Sequence, residues 1–150
     1  MLKKIFAPGS NSGPANFGLL VLRLWIGFSM LLNHGVEKLK TFSDLAPNFP
    51  DPLGIGHTAS LALAVFAEFF ASLLLIFGLV TRFGALVLTI NMGVAFISVH
   101  KGALSGQGSG ELAFLYLMGY VTLLLAGPGR FSVDKALFGR GGGTGWAKKN

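Results

Sequence analysis

TASLALAVFAEFFASLLLIFGLVTR, residues 58–82, is the stretch that decides the fold. From Thr58 to Leu79 it holds one ionisable side chain, Glu68, among Ala, Leu, Phe, Val and Ile. A helix needs about 20 predominantly apolar residues to cross a bilayer's hydrocarbon core, and this run supplies them. Gly78 stands where a left-handed residue ends a helix. Only the tight GLVTR turn separates this run from the next apolar one, so the two helices must lie antiparallel. The segment predicts a membrane-embedded helical hairpin.

Working outward, three further runs of similar character appear. Helix 1 is expected over Phe17 to Leu39, helix 2 over Thr58 to Leu79, helix 3 over Arg82 to His100 and helix 4 over Gly110 to Ala126. The linker TFSDLAPNFPDPLGIGH carries three prolines and two glycines, which forbid a continuous helix between the first two spans. KGALSGQGSG joins the last two. The fold class is therefore all-α: an integral membrane four-helix transmembrane bundle. FSVDKALF, residues 131–138, adds a short interfacial helix with Ser132 as its cap and Phe131, Leu137 and Phe138 toward lipid.

The domain layout is a basic N-terminal arm over 1–16, the transmembrane domain over 17–138 and a Gly-rich basic tail over 139–150. Lys3 and Lys4 resemble the start of a signal peptide, but the apolar run after them is too long and lacks a small-residue cleavage site. It is expected to stay as the first span.

Composition agrees with this reading. Charged residues are 12% of the chain, half the roughly 25% of a soluble domain, and mean hydropathy is +0.65. The net charge of +6 and pI of about 10.0 come from basic residues in loops and tails beside apolar spans. Anionic lipid headgroups, not nucleic acid, are their expected partner. No cysteine is present, which excludes thiol chemistry and Cys-ligated iron–sulfur or zinc sites.

Counting Lys and Arg outside the spans sets the orientation. One side collects Lys3, Lys4, Arg82, Arg130, Lys135, Arg140, Lys148 and Lys149; the other has Lys38, Lys40 and Lys101. The bias puts both termini in the cytoplasm (N-in/C-in), in the cell's inner membrane.

Polar groups inside the spans carry the functional information, since each costs several kcal/mol in lipid unless paired. At 1.5 Å per residue, Arg23, Glu68 and Asn91 lie roughly 9, 16 and 14 Å from the inner side. A buried Arg23–Glu68 ion pair is expected, with Asn91 adding a hydrogen bond. It serves either as glue between helices or as the floor of a ligand cavity. Arg23, Gly27, Met30, His34 and Glu37 form one stripe of helix 1.

A second group gathers at the outer end: His34, Glu37 and Lys38, then His57, His100, Lys101 and Glu111. Three readings compete for it. It is a solvated rim, or a site where histidine hydrogen-bonds a quinone headgroup and Glu37 or Glu111 takes its protons, or a metal site. The metal reading rests on one reversed His34-x-x-Glu37 pair, where carboxylate-bridged metals use Glu-x-x-His on two helices. No metal is expected.

Five blocks in order, LRLWIGFSMLLNHGVEKL, AEFFASLLLIFGLVTR, NMGVAFISVHKG, GELAFLYLMGY and GPGRFSVDKAL, resemble the DoxX family of small four-helix membrane proteins. The likeness spans about residues 17 to 138. Arg23, Gly35, Lys38, Glu68, Gly78, Arg82, Glu111 and the turn Gly127–Arg130 fall where that family's recurring residues are expected. The family takes its name from a relative of a subunit of a thiosulfate–quinone oxidoreductase, and some members are linked to membrane oxidoreductase complexes.

The resemblance implies a quinone-interacting component of an oxidoreductase system. Its cofactor-binding residues would be His34, Glu37, His100 and Glu111 around the headgroup, with Arg23, Glu68 and Asn91 organising the cavity below. Partner redox proteins would supply the rest of the chemistry, and a homo-oligomer is one arrangement open to it. Whether the chain is itself an enzyme is not specified. The alternatives are a non-catalytic scaffold that recruits partner proteins, and a small transporter in which Glu68 carries a coupled proton.

Overall fold

The computed structural model describes residues 12–138, and every regular element among them is helical. We number the elements α1 (Gly13–Lys40), α2 (Phe42–Leu45), α3 (His57–Phe77), α4 (Thr81–Val99), α5 (Glu111–Ala126) and α6 (Val133–Phe138). The terminal arm before residue 12 and the tail after 138 lie outside the described residues.

α1 begins four residues ahead of Phe17, because Pro14 in its first turn is compatible with a helix start, where the missing N–H has no partner to lose. The linker after α1, expected only to be irregular, folds into α2 and one 3₁₀ turn over Ala46–Asn48. α1, α3 and α4 are long and apolar enough to cross a membrane; α5 is apolar but has only 16 residues.

The four longer helices share one core. Met30 of α1, Ala71 and Leu75 of α3, Ala85 and Leu88 of α4, and Tyr120 and Leu123 of α5 are all essentially sealed. The outward faces are equally apolar: Trp25 is 76% exposed and Leu125 72%. Water would not tolerate an exterior as greasy as the interior, whereas lipid does.

Chain direction alternates, so one end of the molecule carries both ends of the described chain and the α3–α4 turn. We call it the terminal end, and the opposite one the loop end. The terminal end is tied by polar contacts. Gly78 closes α3 at φ +69°, and Val80 follows at φ +43°, a conformation unfavourable for a β-branched side chain.

Asp134 of α6 holds that turn. The Val80 and Thr81 N–H groups donate to its two carboxylate oxygens at 2.7 and 2.8 Å, satisfying the free amides at the start of α4. Ser132 caps α6 as expected, accepting from the Lys135 N–H at 3.1 Å.

Arg23 belongs to this same end. Its guanidinium donates to the Pro128 carbonyl at 2.7 Å and to the Phe131 carbonyl, with Asp134 close enough to act on it electrostatically. The expected Arg23–Glu68 pair is therefore not formed. Side chains on a helix lean toward its N-terminus, which carries Arg23 away from Glu68 and down to the turn after α5. Gly78 leaves room for it: a Cβ there would meet Arg23 Nη1 at 2.7 Å.

Candidate functional site

Glu68 sits within a widened, π-helical turn of α3, Phe66–Ala71. Two more such turns occur, at Leu31–Gly35 in α1 and Ala95–Val99 in α4. Insertions of this kind locally displace backbone and occur frequently at functional sites. Here two of them face each other. At Gly35 an added Cβ would lie 2.6 Å from the Glu68 carbonyl oxygen, so only glycine permits α1 and α3 to approach this closely.

Lys38 follows Gly35 by three residues, on the same helix face. The backward lean that sends Arg23 to the terminal end brings Lys38 inward, from near the end of α1 to Glu68. Its Nζ lies 2.6 Å from Glu68 Oε2, with the lysine side chain 22% exposed and the carboxylate 6%. Asn91 of α4 donates to the other oxygen, Oε1, at 3.2 Å. The Glu68–Asn91 contact matches the sequence expectation. The cation is Lys38 rather than Arg23.

These three side chains form the polar end of a cavity of about 460 Å³. Its walls are apolar: Leu63, Ala64, Phe66 and Ala67 from α3, and Val87, Ile90, Val94, Ala95 and Val99 from α4. Phe49, Pro50, Pro52 and Leu53 of the α2–α3 linker line the loop-end side. Apolar walls with a few convergent polar groups are the general make-up of a small-molecule site.

The linker wall is fastened at Asp51. Its carboxylate accepts from Ser60 Oγ at 2.7 Å and from the Ile55 and Gly56 N–H groups at 3.0 and 2.8 Å. The hydrogen bond from Ser60, followed by those from the two amides, holds the Asp51 carboxyl below its ordinary range. His57 Nδ1 bonds the Phe49 carbonyl, tying the same segment from the other side.

The other expected site residues are dispersed. None of His34, Glu37, His100 and Glu111 lines the cavity. His34 packs edge-on against Tyr116, ring centroids 5.9 Å apart. His100 Nδ1 bonds the Gly108 carbonyl at 2.9 Å, organising the α4–α5 loop. Glu37 and Glu111 are exposed. Arg23 serves the terminal end.

A smaller cavity of about 240 Å³ lies between α1 and α5, where Ser29 and the Tyr116 hydroxyl are hydrogen-bonded. Among the described residues, no three His, Cys, Asp or Glu side chains group so as to hold a metal ion.

The DoxX family model matches residues 18–101, which take in most of α1, all of α3 and α4, and every side chain lining the larger cavity. The chain belongs to the DoxX family. An uncharacterised protein of Haemophilus influenzae is 32% identical over 122 residues, covering 77% of this chain and 80% of the relative. A second from that organism is 29% identical over 128 residues, covering 80% and 90%. An uncharacterised membrane protein of Mycobacterium tuberculosis is 28% identical over 141 residues, covering 79% and 80%. No solved structure matches this DoxX chain. With its apolar spans, family membership makes it a membrane-integral, multi-pass protein.

Proposed function

We propose that this protein holds a membrane-soluble quinone in the cavity between α1, α3 and α4, as the quinone-binding component of an oxidoreductase system. The observation that carries the reading is the division of the cavity into an apolar body and one charged, hydrogen-bonding end made by Lys38, Glu68 and Asn91. A quinone ring has the same division, with carbonyl oxygens to accept from Lys38 Nζ or the Asn91 amide and an otherwise apolar body. In the quinol form a hydroxyl donates to Glu68. Electrons would pass to or from a partner redox protein, since the chain has no cysteine to carry a redox cluster.

The reading includes a four-crossing topology with both termini cytoplasmic, in the inner membrane. α5 spans roughly 24 Å at 1.5 Å per residue, short of a bilayer core of about 30 Å. Local thinning accommodates a difference of that size.

The test is titration of the detergent-purified protein with a short-tailed quinone, followed by tryptophan quenching, with mass spectrometry of an organic extract. Asn91→Leu is expected to weaken quinone binding about tenfold, the loss of one hydrogen bond to a polar partner, and Glu68→Gln to weaken binding of the quinol form by a similar factor, the loss of a charged acceptor. His34→Ala is expected to bind as the parent does. Loss of binding in His34→Ala alone would move the headgroup to the loop-end rim. An extract with phospholipid but no quinone, together with no titratable binding, would replace this reading with the scaffold.

A further inference from the structure

The cavity has two boundaries, one between helices and one made by the linker. Between α3 and α4 its rim is made of Leu63, Phe66 and Ile90, exposed by 53%, 45% and 59%. These side chains belong to the lipid-facing surfaces of two membrane helices, and no other element among the described residues covers them. Toward the loop end, the strap Phe49–Leu53 lines the cavity, with Phe49 half-buried and Pro50, Pro52 and Leu53 exposed, and its prolines offer no N–H to water or to a ligand.

That strap is clipped to α3 by Asp51. The Asp51 carboxylate takes three hydrogen bonds from the first turn of α3 and the residues just before it, and His57 adds a tie to the Phe49 carbonyl. Ser60 is shared, since it both donates to Asp51 and lines the cavity. The clip and the cavity wall are thus one structure, and release of Asp51 would free the wall at its centre.

We infer that the cavity is loaded sideways from the bilayer through the α3–α4 portal, and that the Asp51-clipped strap keeps water and water-soluble molecules out. The ligand class is then a bilayer-dissolved amphiphile whose head rests at Lys38, Glu68 and Asn91 and whose tail leaves past Phe66 and Ile90. Tail length beyond the portal carries little of the specificity, because that part lies in lipid. The inference takes the cavity as the binding site proposed above, but its test uses no quinone, so the two fail separately.

The absence of cysteine makes the test direct. Ala64, 7% exposed on the cavity wall, is replaced (Ala64→Cys) and the protein reconstituted in liposomes. With each rate taken relative to that reagent's rate with a free thiol, the small uncharged methyl methanethiosulfonate is expected to modify the thiol readily, and a charged, water-soluble methanethiosulfonate at least about tenfold more slowly. Adding Asp51→Ala should raise the charged reagent's rate about tenfold, as loss of a charge-assisted clip lowers the cost of opening, and leave the uncharged reagent's rate unchanged. Ser60→Ala, which removes one of the three bonds, should give an intermediate rate and serves if Asp51→Ala misfolds. Equal rates for the two reagents in the parent would overturn the sideways route. A charged-reagent rate indifferent to both clip substitutions would overturn the strap as the closure.

Discussion

Lys38 and Glu68 share one ion pair but are unequal partners. Lys38 lies near the end of α1 on a long flexible stem and is partly exposed, so its ammonium can return to the interface if the carboxylate is lost. Glu68 is fixed mid-helix in a widened turn and has no such escape. Removing one member of a buried pair costs about 3–5 kcal/mol when the other is left uncompensated. Lys38→Met is therefore expected to destabilise the protein by about 3 kcal/mol, and Glu68→Gln by under about 1 kcal/mol, since the amide keeps a hydrogen bond to Asn91. Thermal unfolding in a mild detergent reads both. Equal losses, or a larger loss for Glu68→Gln, would count against this account of the pair. The sequence showed Glu68 and Asn91 as candidates, because a polar group in an apolar run is conspicuous. It concealed the cation: Arg23 and Lys38 are both basic residues of α1, and depth alone favoured Arg23. The direction in which helical side chains lean, and the glycine three residues before Lys38, held the information that separates them.

At the scale of elements, spans and turns were legible because hydrophobic run length and Gly or Pro punctuation are local signals. The predicted helix boundaries fall within four residues of those observed. The three widened turns had no such signal. The strap was equally hidden, since proline content indicates where a helix stops but not which cavity the segment then covers. Its clip has a defined pH dependence. The Asp51 carboxyl is held below its ordinary range by Ser60 and two amides. Its contribution is full above the unfolded value of about 3.9 and is lost as pH falls through the lower folded value. The difference in thermal stability between the parent and Asp51→Ala should be present above the unfolded value and should shrink as the pH is lowered beneath it. A difference that persists undiminished in strong acid would show that the carboxylate charge is not what fastens the strap.

For the whole molecule, the sequence pointed to an all-helical membrane protein, and the structure adds that its polar contacts are divided between two ends. The loop end has the cavity and its clip; the terminal end has the knot of Arg23, Asp134 and the turns around them. The charge count that assigns the terminal end to the cytoplasm can be checked by impermeant thiol labelling of whole cells. Ser105→Cys, in the α4–α5 loop, should label from outside, and Ala136→Cys, exposed on α6, only after the membrane is opened. The reverse pattern would invert the topology and place the strap on the cytoplasmic side.

The knot at the terminal end also has a history in time. Arg23 enters the membrane with the first helix to be synthesised, yet its two carbonyl partners are 105 and 108 residues further along the chain. Until the ribosome has delivered Pro128, the guanidinium has neither of the carbonyl partners that later seal it. A nascent chain halted before that point carries an unquenched cation on an apolar helix, open to the proteases that clear unfinished membrane proteins. Closure of the knot therefore records that the chain has been made through α5 and the turn after it.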